Sequence, residues 1–219
     1  FSHCNLKCIF CQNKKISTLG YGKEIGEKRL RSIFLELQER GAHNINLVTP
    51  THFVPQITKV LKKIKGTELT IPVVYNTSSY ENVETIEMMR GLVDIYLADL
   101  KYFDPELGKN YSNCDNYFEV ASKAIAAMYK QVGEPIIEDG LMKRGIIVRI
   151  LLLPGHKEDA KKIVKYLYET YGDNIYISIM NQYTPVTKTL KYPNLNWTVT
   201  EGEYNEVINY ACDLGVTKA

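Results

Sequence analysis

At 219 residues the chain has room for one large domain or two small ones, and its 45% hydrophobic and 24% charged content is that of an ordinary globular protein with a sizeable core. A formal charge of +2, with lysines spread along helical faces, offers no concentrated field for nucleic acid, and no apolar run approaches a membrane span. Five cysteines, an odd number with three in one loop, argue against a disulfide framework and for a reducing, cytoplasmic setting.

The first element is that loop. Cys4, Cys8 and Cys11 stand in a C-x3-C-x2-C spacing within Phe1-Ser2-His3-Cys4-Asn5-Leu6-Lys7-Cys8-Ile9-Phe10-Cys11, with an aromatic residue directly before the last cysteine. Three thiolates in so short a loop can wrap one iron–sulfur cube, a [4Fe-4S] cluster, and leave one iron without a protein ligand. A vacant metal position is where substrate or cofactor binds, as opposed to a structural site closed by four ligands. A zinc knuckle completed by His3 is the other reading of the same residues. Cys114 and Cys212 have no cysteine neighbour and read as plain buried or loop thiols.

Beyond the loop, helical periodicity alternates with short β-rich runs. Leu30, Ile33, Phe34 and Leu37 share one helical face that stops at Gly41, and the first expected strand runs Asn44 to Val48. Val54, Ile57, Val60, Leu61 and Ile64 form the next amphipathic face before Gly66, followed by a strand Ile71 to Tyr75. Val83 and Ile86 mark a helix ahead of a strand Val93 to Ala98. Phe103 to Asn116 and Glu134 to Gly140 read as surface loops around a helix carrying Val120, Ala124, Ile125 and Met128. A strand Ile146 to Leu153, a helix with Ile163, Val164 and Leu167, and a strand Asn174 to Met180 follow. Thr200 and Glu203 are spaced as a capping box opening the last helix.

This alternation predicts parallel strands with right-handed crossovers, hence an α/β sheet or barrel. The strands read as apolar on both faces, as when helices cover a sheet. An open doubly wound sheet would call for a glycine-rich phosphate loop at its first turn, and none exists. Ligands in parallel α/β folds gather at the carboxyl ends of strands, which here bear Thr49, Thr51 and His52, then Asn76, Thr77 and Ser78, then Asp99 and Lys101, then Pro154, Gly155 and His156, and last Asn181, Gln182 and Tyr183. No repeat, low-complexity segment or linker divides the chain, so a single domain over 1–219 is expected.

The cysteine loop resembles that of the radical S-adenosylmethionine superfamily. Asp99-Leu100-Lys101 resembles the D-L-K motif of pyruvate formate-lyase activating enzymes, Val148-Arg149-Ile150-Leu151-Leu152-Leu153-Pro154-Gly155 their V-R-x-x-x-x-P-G strand, and Tyr75-Asn76-Thr77-Ser78 lies where they carry a T-N-G turn. The resemblance implies a partial (β/α)6 TIM-like barrel with parallel strands. Because the superfamily's loop follows its first strand, it also implies that this strand is missing from a truncated chain. It further implies a [4Fe-4S] cluster on Cys4, Cys8 and Cys11 and S-adenosylmethionine chelated at the open iron. One electron then cleaves a carbon–sulfur bond to give a hydrogen-abstracting 5′-deoxyadenosyl radical. Lys101 would pair with the methionyl carboxylate, Asp99 would orient Lys101 or hold a cation, Asn76 would hydrogen-bond the cofactor, and Arg149 would contact ribose or a substrate carboxylate. A surface ion pair for Asp99, turn capping for Asn76 and a buried salt bridge for Arg149 are the structural counterparts of those roles.

His52, Gln182 and Tyr183 are candidate substrate contacts, each with an ordinary rim or packing role as the alternative; His156 invites the same two readings. The implied partners are a protein or peptide substrate of the glycyl radical enzyme class and an external one-electron reductant such as flavodoxin or ferredoxin. One departure stands out. The superfamily's G-G-E tract, which holds the amino group of S-adenosylmethionine, is replaced by Thr49-Pro50-Thr51, whose carbonyls or hydroxyls would have to substitute. An iron–sulfur electron carrier or redox sensor without radical chemistry is the competing function.

Overall fold

A computed structural model describes residues 1–186 and 188–218. The cysteine loop runs into a short helix α1 (Lys14–Ser17), and α2 (Glu27–Glu39) leads to β1 (Ile45–Val48). Then come α3 (Val54–Ile64), β2 (Val73–Thr77), α4 (Val83–Glu87), β3 (Ile95–Asp99), α5 (Pro105–Ser112) and α6 (Tyr117–Val132). The hairpin β4 (Ile136–Glu138) and β5 (Leu141–Leu151), α7 (Lys157–Tyr171), β6 (Tyr176–Met180) and α8 (Glu201–Leu214) complete the order.

Five strands pair in parallel in the order β1-β2-β3-β5-β6. β6 pairs with β5 and β1 with β2, but β1 and β6 do not pair with each other, so among the described residues the barrel is open. Ile45, Leu47, Val73, Tyr75, Ile146, Val148 and Ile177 face the helices and join one core with Phe34, Ile57, Leu61, Ile125, Met128, Ile163 and Leu167. Burying each such side chain contributes about 1.5–3 kcal/mol, which is what fixes the strand register: a slip of one residue would turn this set toward the other face. Thr200 and Glu203 form the expected capping box on α8.

Three expectations need correction. Not every strand is closed in on both faces: β2 is, with Val73, Val74 and Tyr75 all buried, but along β1 buried and exposed residues alternate, with Val48 45% exposed, because the inner face there looks into the open lumen. β2 is shifted toward the carboxyl end, so Asn76 and Thr77 belong to the strand and not to a turn after it. The two supposed surface loops are structured. Residues 136–138 pair antiparallel with the first residues of β5, and 105–112 form α5, whose Tyr111 and Ser112 are buried. A polar sequence with Pro and Gly hides both, since neither shows a clear apolar period. Gly108 within α5 is needed for close approach, because a Cβ there would lie 2.4 Å from the Cys114 carbonyl oxygen. No helix among the described residues is long and apolar enough to cross a membrane.

Candidate functional site

The carboxyl ends of β2, β3 and β5 carry a chain of charged and amide groups. Asp99 ends β3 and is directly paired in register with Arg149 of β5. Its carboxylate accepts from Lys101 Nζ at 2.6 Å through one oxygen and from the Arg149 guanidinium at 2.6 Å through the other. Arg149 also donates to Asn76 Oδ1 at 2.8 Å. The side chains of Asp99, Lys101 and Arg149 retain only 16%, 15% and 22% of their exposure, so this is no surface ion pair; the carboxylate holds two cations that would otherwise be costly to desolvate. Burial on its own would lower the Lys101 ammonium's pKa, but the charge of Asp99, with help from Cys8, wins and holds it above the usual lysine range. Arg149 Nε is buried with no protein partner. The rim is tied down from behind by Tyr117, whose hydroxyl donates to the Ser78 carbonyl at 2.7 Å and accepts from the Lys101 N–H at 3.1 Å.

Facing this rim is the cysteine loop, and α5 is what holds it. The last carbonyls of a helix have no partner within it; here the carbonyls of Tyr111 and Ser112 accept from the N–H groups of Ile9 and Lys7 at 2.9 and 3.2 Å. Cys8, between those two residues, is thereby clamped to the end of α5. Its sulfur lies 2.9 Å from Ser112 Oγ. Cys11 lies 3.2 Å from Ser17 Oγ, and Cys4 accepts from the Leu6 N–H at 3.5 Å. Burial pushes the Cys8 thiol up, while the Lys101 charge and the Ser112 hydrogen bond pull it down. Tyr111 in turn bonds His156 Nε2 at 2.8 Å, and Asn194 donates to the same nitrogen at 3.0 Å. His156 is therefore a strut between α5 and the Pro154-Gly155 corner. Burial lowers its pKa.

On the third side, Thr49 takes a left-handed conformation, φ 51°, unusual and strained by about 1–2 kcal/mol for a β-branched residue. Its N–H is held by the Asn76 carbonyl at 2.8 Å. The Thr51 hydroxyl is committed elsewhere: it donates to Glu81 Oε1 at 2.7 Å, as does Thr77, with the Tyr75 hydroxyl at 3.3 Å. The Thr51 hydroxyl therefore has its one hydrogen committed to Glu81 and keeps only its oxygen lone pairs to accept from a ligand's amino group, as the backbone carbonyls of Thr49 and Pro50 can. Glu81 was not singled out by sequence reasoning. Its signal, a carboxylate between strand and helix with three hydroxyl donors nearby, exists only in three dimensions. Burial pushes its carboxyl above the usual range.

A cavity of about 510 Å³ lies between the cysteine loop and the β3–β5 rim, lined by Cys8, Phe10, Cys11, Asp99, Lys101, Arg149, Gln182 and Tyr183 among others, while Cys4, Thr49, Thr51 and Asn76 are not part of its lining. That is cofactor-sized. Gln182 faces it, while Tyr183 presents its ring, packed edge-on to Phe10 at 6.0 Å, and gives its hydroxyl to the Leu195 carbonyl at 2.7 Å. His52 is exposed on the turn after β1 and does not line the cavity. Among the described residues no three His, Cys, Asp or Glu side chains already converge as a metal site. The donor set nonetheless fits an iron–sulfur group: the three thiols are free of disulfides, and two of them open onto the cavity.

The family model described as "Radical SAM superfamily" matches residues 1–167. An uncharacterized protein of Methanocaldococcus jannaschii is 30% identical over 96% of this chain, which spans 60% of that protein's length. Among solved structures, SuiB of Streptococcus suis bound to its precursor peptide SuiA superposes with a TM-score of 0.67 at 15% identity, over 96% of this chain and 43% of that one. A domain of pyruvate-formate lyase-activating enzyme from Bacteroides vulgatus gives 0.55 at 15% identity, over 79% of this chain and 94% of that domain.

Proposed function

The chain belongs to the radical S-adenosylmethionine superfamily, and from that premise we propose that it is the core of an activating-enzyme-like protein that abstracts hydrogen from a protein or peptide, with a glycyl radical enzyme as the partner class. The superfamily's cofactors, a [4Fe-4S] cluster and S-adenosylmethionine, are its cofactors, and Cys4, Cys8 and Cys11 are the residues to hold the cluster. When bound, these groups supply a hydrogen-abstracting radical through one-electron cleavage of a carbon–sulfur bond. The chain's own part is binding, orientation and exclusion of water.

The observation that carries the reading is the Arg149–Asp99–Lys101 cluster, lining the same cavity as Cys8 and Cys11, with Asn76 holding Arg149 from outside that lining. Lys101 binds the methionyl carboxylate as a compact ammonium, and Asp99 keeps it aimed and charged. Arg149 has an unpartnered Nε to offer a ribose or carboxylate oxygen. Phe10 and Tyr183 line one part of the cavity with aromatic rings packed edge to face, which lowers the local polarity and strengthens charged contacts beside them. The peptide bound in SuiB and the D-L-K and P-G motifs support a peptide-borne hydrogen as the target, with a flavodoxin- or ferredoxin-type protein as the electron source.

Anaerobic reconstitution followed by a dithionite-driven assay tests this. The expected result is brown protein that releases 5′-deoxyadenosine and leaves a radical signal on a candidate glycyl radical partner. Brown protein without that product would instead make the chain an electron carrier, and zinc without iron would make it a structural module.

A further inference from the structure

Ser112 and Tyr102 are each 1% exposed and lie outside the cavity lining, yet they connect to a cluster cysteine. The Tyr102 hydroxyl is 2.7 Å from Ser112 Oγ, which is 2.9 Å from Cys8 Sγ. A metal-bound cysteine is a thiolate and can only accept a hydrogen bond. That fixes the direction of the whole chain: Ser112 must donate to Cys8, so its oxygen is left to accept from Tyr102. The backbone bonds from Lys7 and Ile9 to the end of α5 hold Cys8 in register with Ser112 independently of the sulfur itself. Neither of the other two sulfurs has such support. Ser17, facing Cys11, stands on the four-residue α1, which has no buried residue, and Cys4 has one long bond from a backbone N–H.

Resting on the reading of Cys8 as a cluster ligand, we propose that Ser112 and Tyr102 form a buried relay of hydrogen-bond donors that raises the cluster's reduction potential. Hydrogen bonds to cluster sulfurs and burial are among the determinants of iron–sulfur potentials, and partners behind a ligand tune its metal. In the step concerned the oxidised cluster gains one electron and a one-electron donor loses one; no proton moves and no bond to sulfur breaks. The added negative charge falls partly on the sulfurs, so a donor already aimed at Cys8 stabilises the reduced form more than the oxidised one. The two hydroxyls are positioning residues, since neither touches substrate or the cavity.

The test is a potentiometric titration, followed by electron paramagnetic resonance, of the reconstituted full-length protein with dithionite as reductant. Ser112→Ala is expected to shift the midpoint to a more negative value, Tyr102→Phe to shift it the same way by less, and Ser17→Ala to shift it least. Ser112→Thr, which keeps the hydroxyl, is expected to restore most of the change. Tyr102→Phe removes one oxygen without altering shape, so it decides the matter alone if Ser112→Ala does not retain the cluster. An assembled cluster whose midpoint is unmoved in Tyr102→Phe and Ser112→Ala overturns the relay and leaves the proposed function intact. A wild-type protein that assembles no cluster on the three cysteines overturns both.

Discussion

Two walls built on different physics support the cavity, one lining it and one standing behind its cysteine loop. The strand wall is ionic: Asp99 grips Lys101 and Arg149, and Asn76 extends the chain. The α5 wall, which backs the cysteine loop and does not itself line the cavity, is neutral: Tyr102, Ser112, Tyr111, His156 and Asn194 pass hydrogen bonds among hydroxyl, imidazole and amide groups. An ionic wall suits a zwitterionic ligand, whose charges it can match, and it is expensive to break because any one deletion strands a buried charge. The neutral wall holds the loop proposed to carry the cluster thiolates. Donors without formal charge fix its position and tune it gently.

The sharpest break is Asp99→Ala, which leaves two buried cations without their shared anion. It is expected to destabilise the fold by about 3–5 kcal/mol, read from denaturant unfolding. Lys101→Met keeps the stem but removes the charge, and losing a hydrogen bond to a charged group, worth about 1.5–3 kcal/mol, weakens S-adenosylmethionine binding roughly 10- to 100-fold. Equilibrium binding to the reconstituted protein measures it; unchanged affinity would remove Lys101 from the site. Tyr117→Phe, behind the ionic wall, leaves the Ser78 carbonyl and the Lys101 N–H without their partner, at about 1–3 kcal/mol of stability.

The smallest effect lies in the neutral wall and depends on pH. Asn194's amide can only donate to His156 Nε2, so the folded state prefers neutral imidazole, and burial lowers the folded pKa from the ordinary 6.5. The unfolded chain therefore takes up the proton first. This contribution is intact above the unfolded value and is lost as pH falls from about 6.5 through the lower folded value. Glu81 and Asp159, raised by burial, act in the opposite sense, losing stability as pH rises through their folded values. Comparing the pH–stability slope of wild type with His156→Gln isolates the histidine: the variant should show a shallower fall below pH 6.5, and parallel curves would refute the assignment.

Half of the ionic wall was legible in the sequence, because Asp99 and Lys101 follow an apolar run whose strand character is plain, and strand ends are where such folds place ligands; Arg149, inside its strand, stood out only through the resemblance of its V-R-x-x-x-x-P-G run. The neutral wall was not. Phe103 to Asn116 reads as loop because α5 buries only Gly108, Tyr111 and Ser112 and shows no apolar stripe. Its importance comes from two helix-end carbonyls, which every sequence possesses. That the one hydrogen of the Thr51 hydroxyl goes to Glu81, brought near by the turn after β2, is likewise visible only in the fold.

By itself the sequence determined the cysteine triad, the strand–helix alternation and the charged rim, since spacing and hydrophobic period are local properties of the chain. Tertiary structure alone decided that the loop rests on α5, that Asp99 serves two cations at once, and that Ser112 and Tyr102 point toward Cys8. The contacts of Cys8 with Ser112 and of Asp99 with Arg149 join residues far apart in sequence, and their partners are selected by the packing of the sheet against its helices.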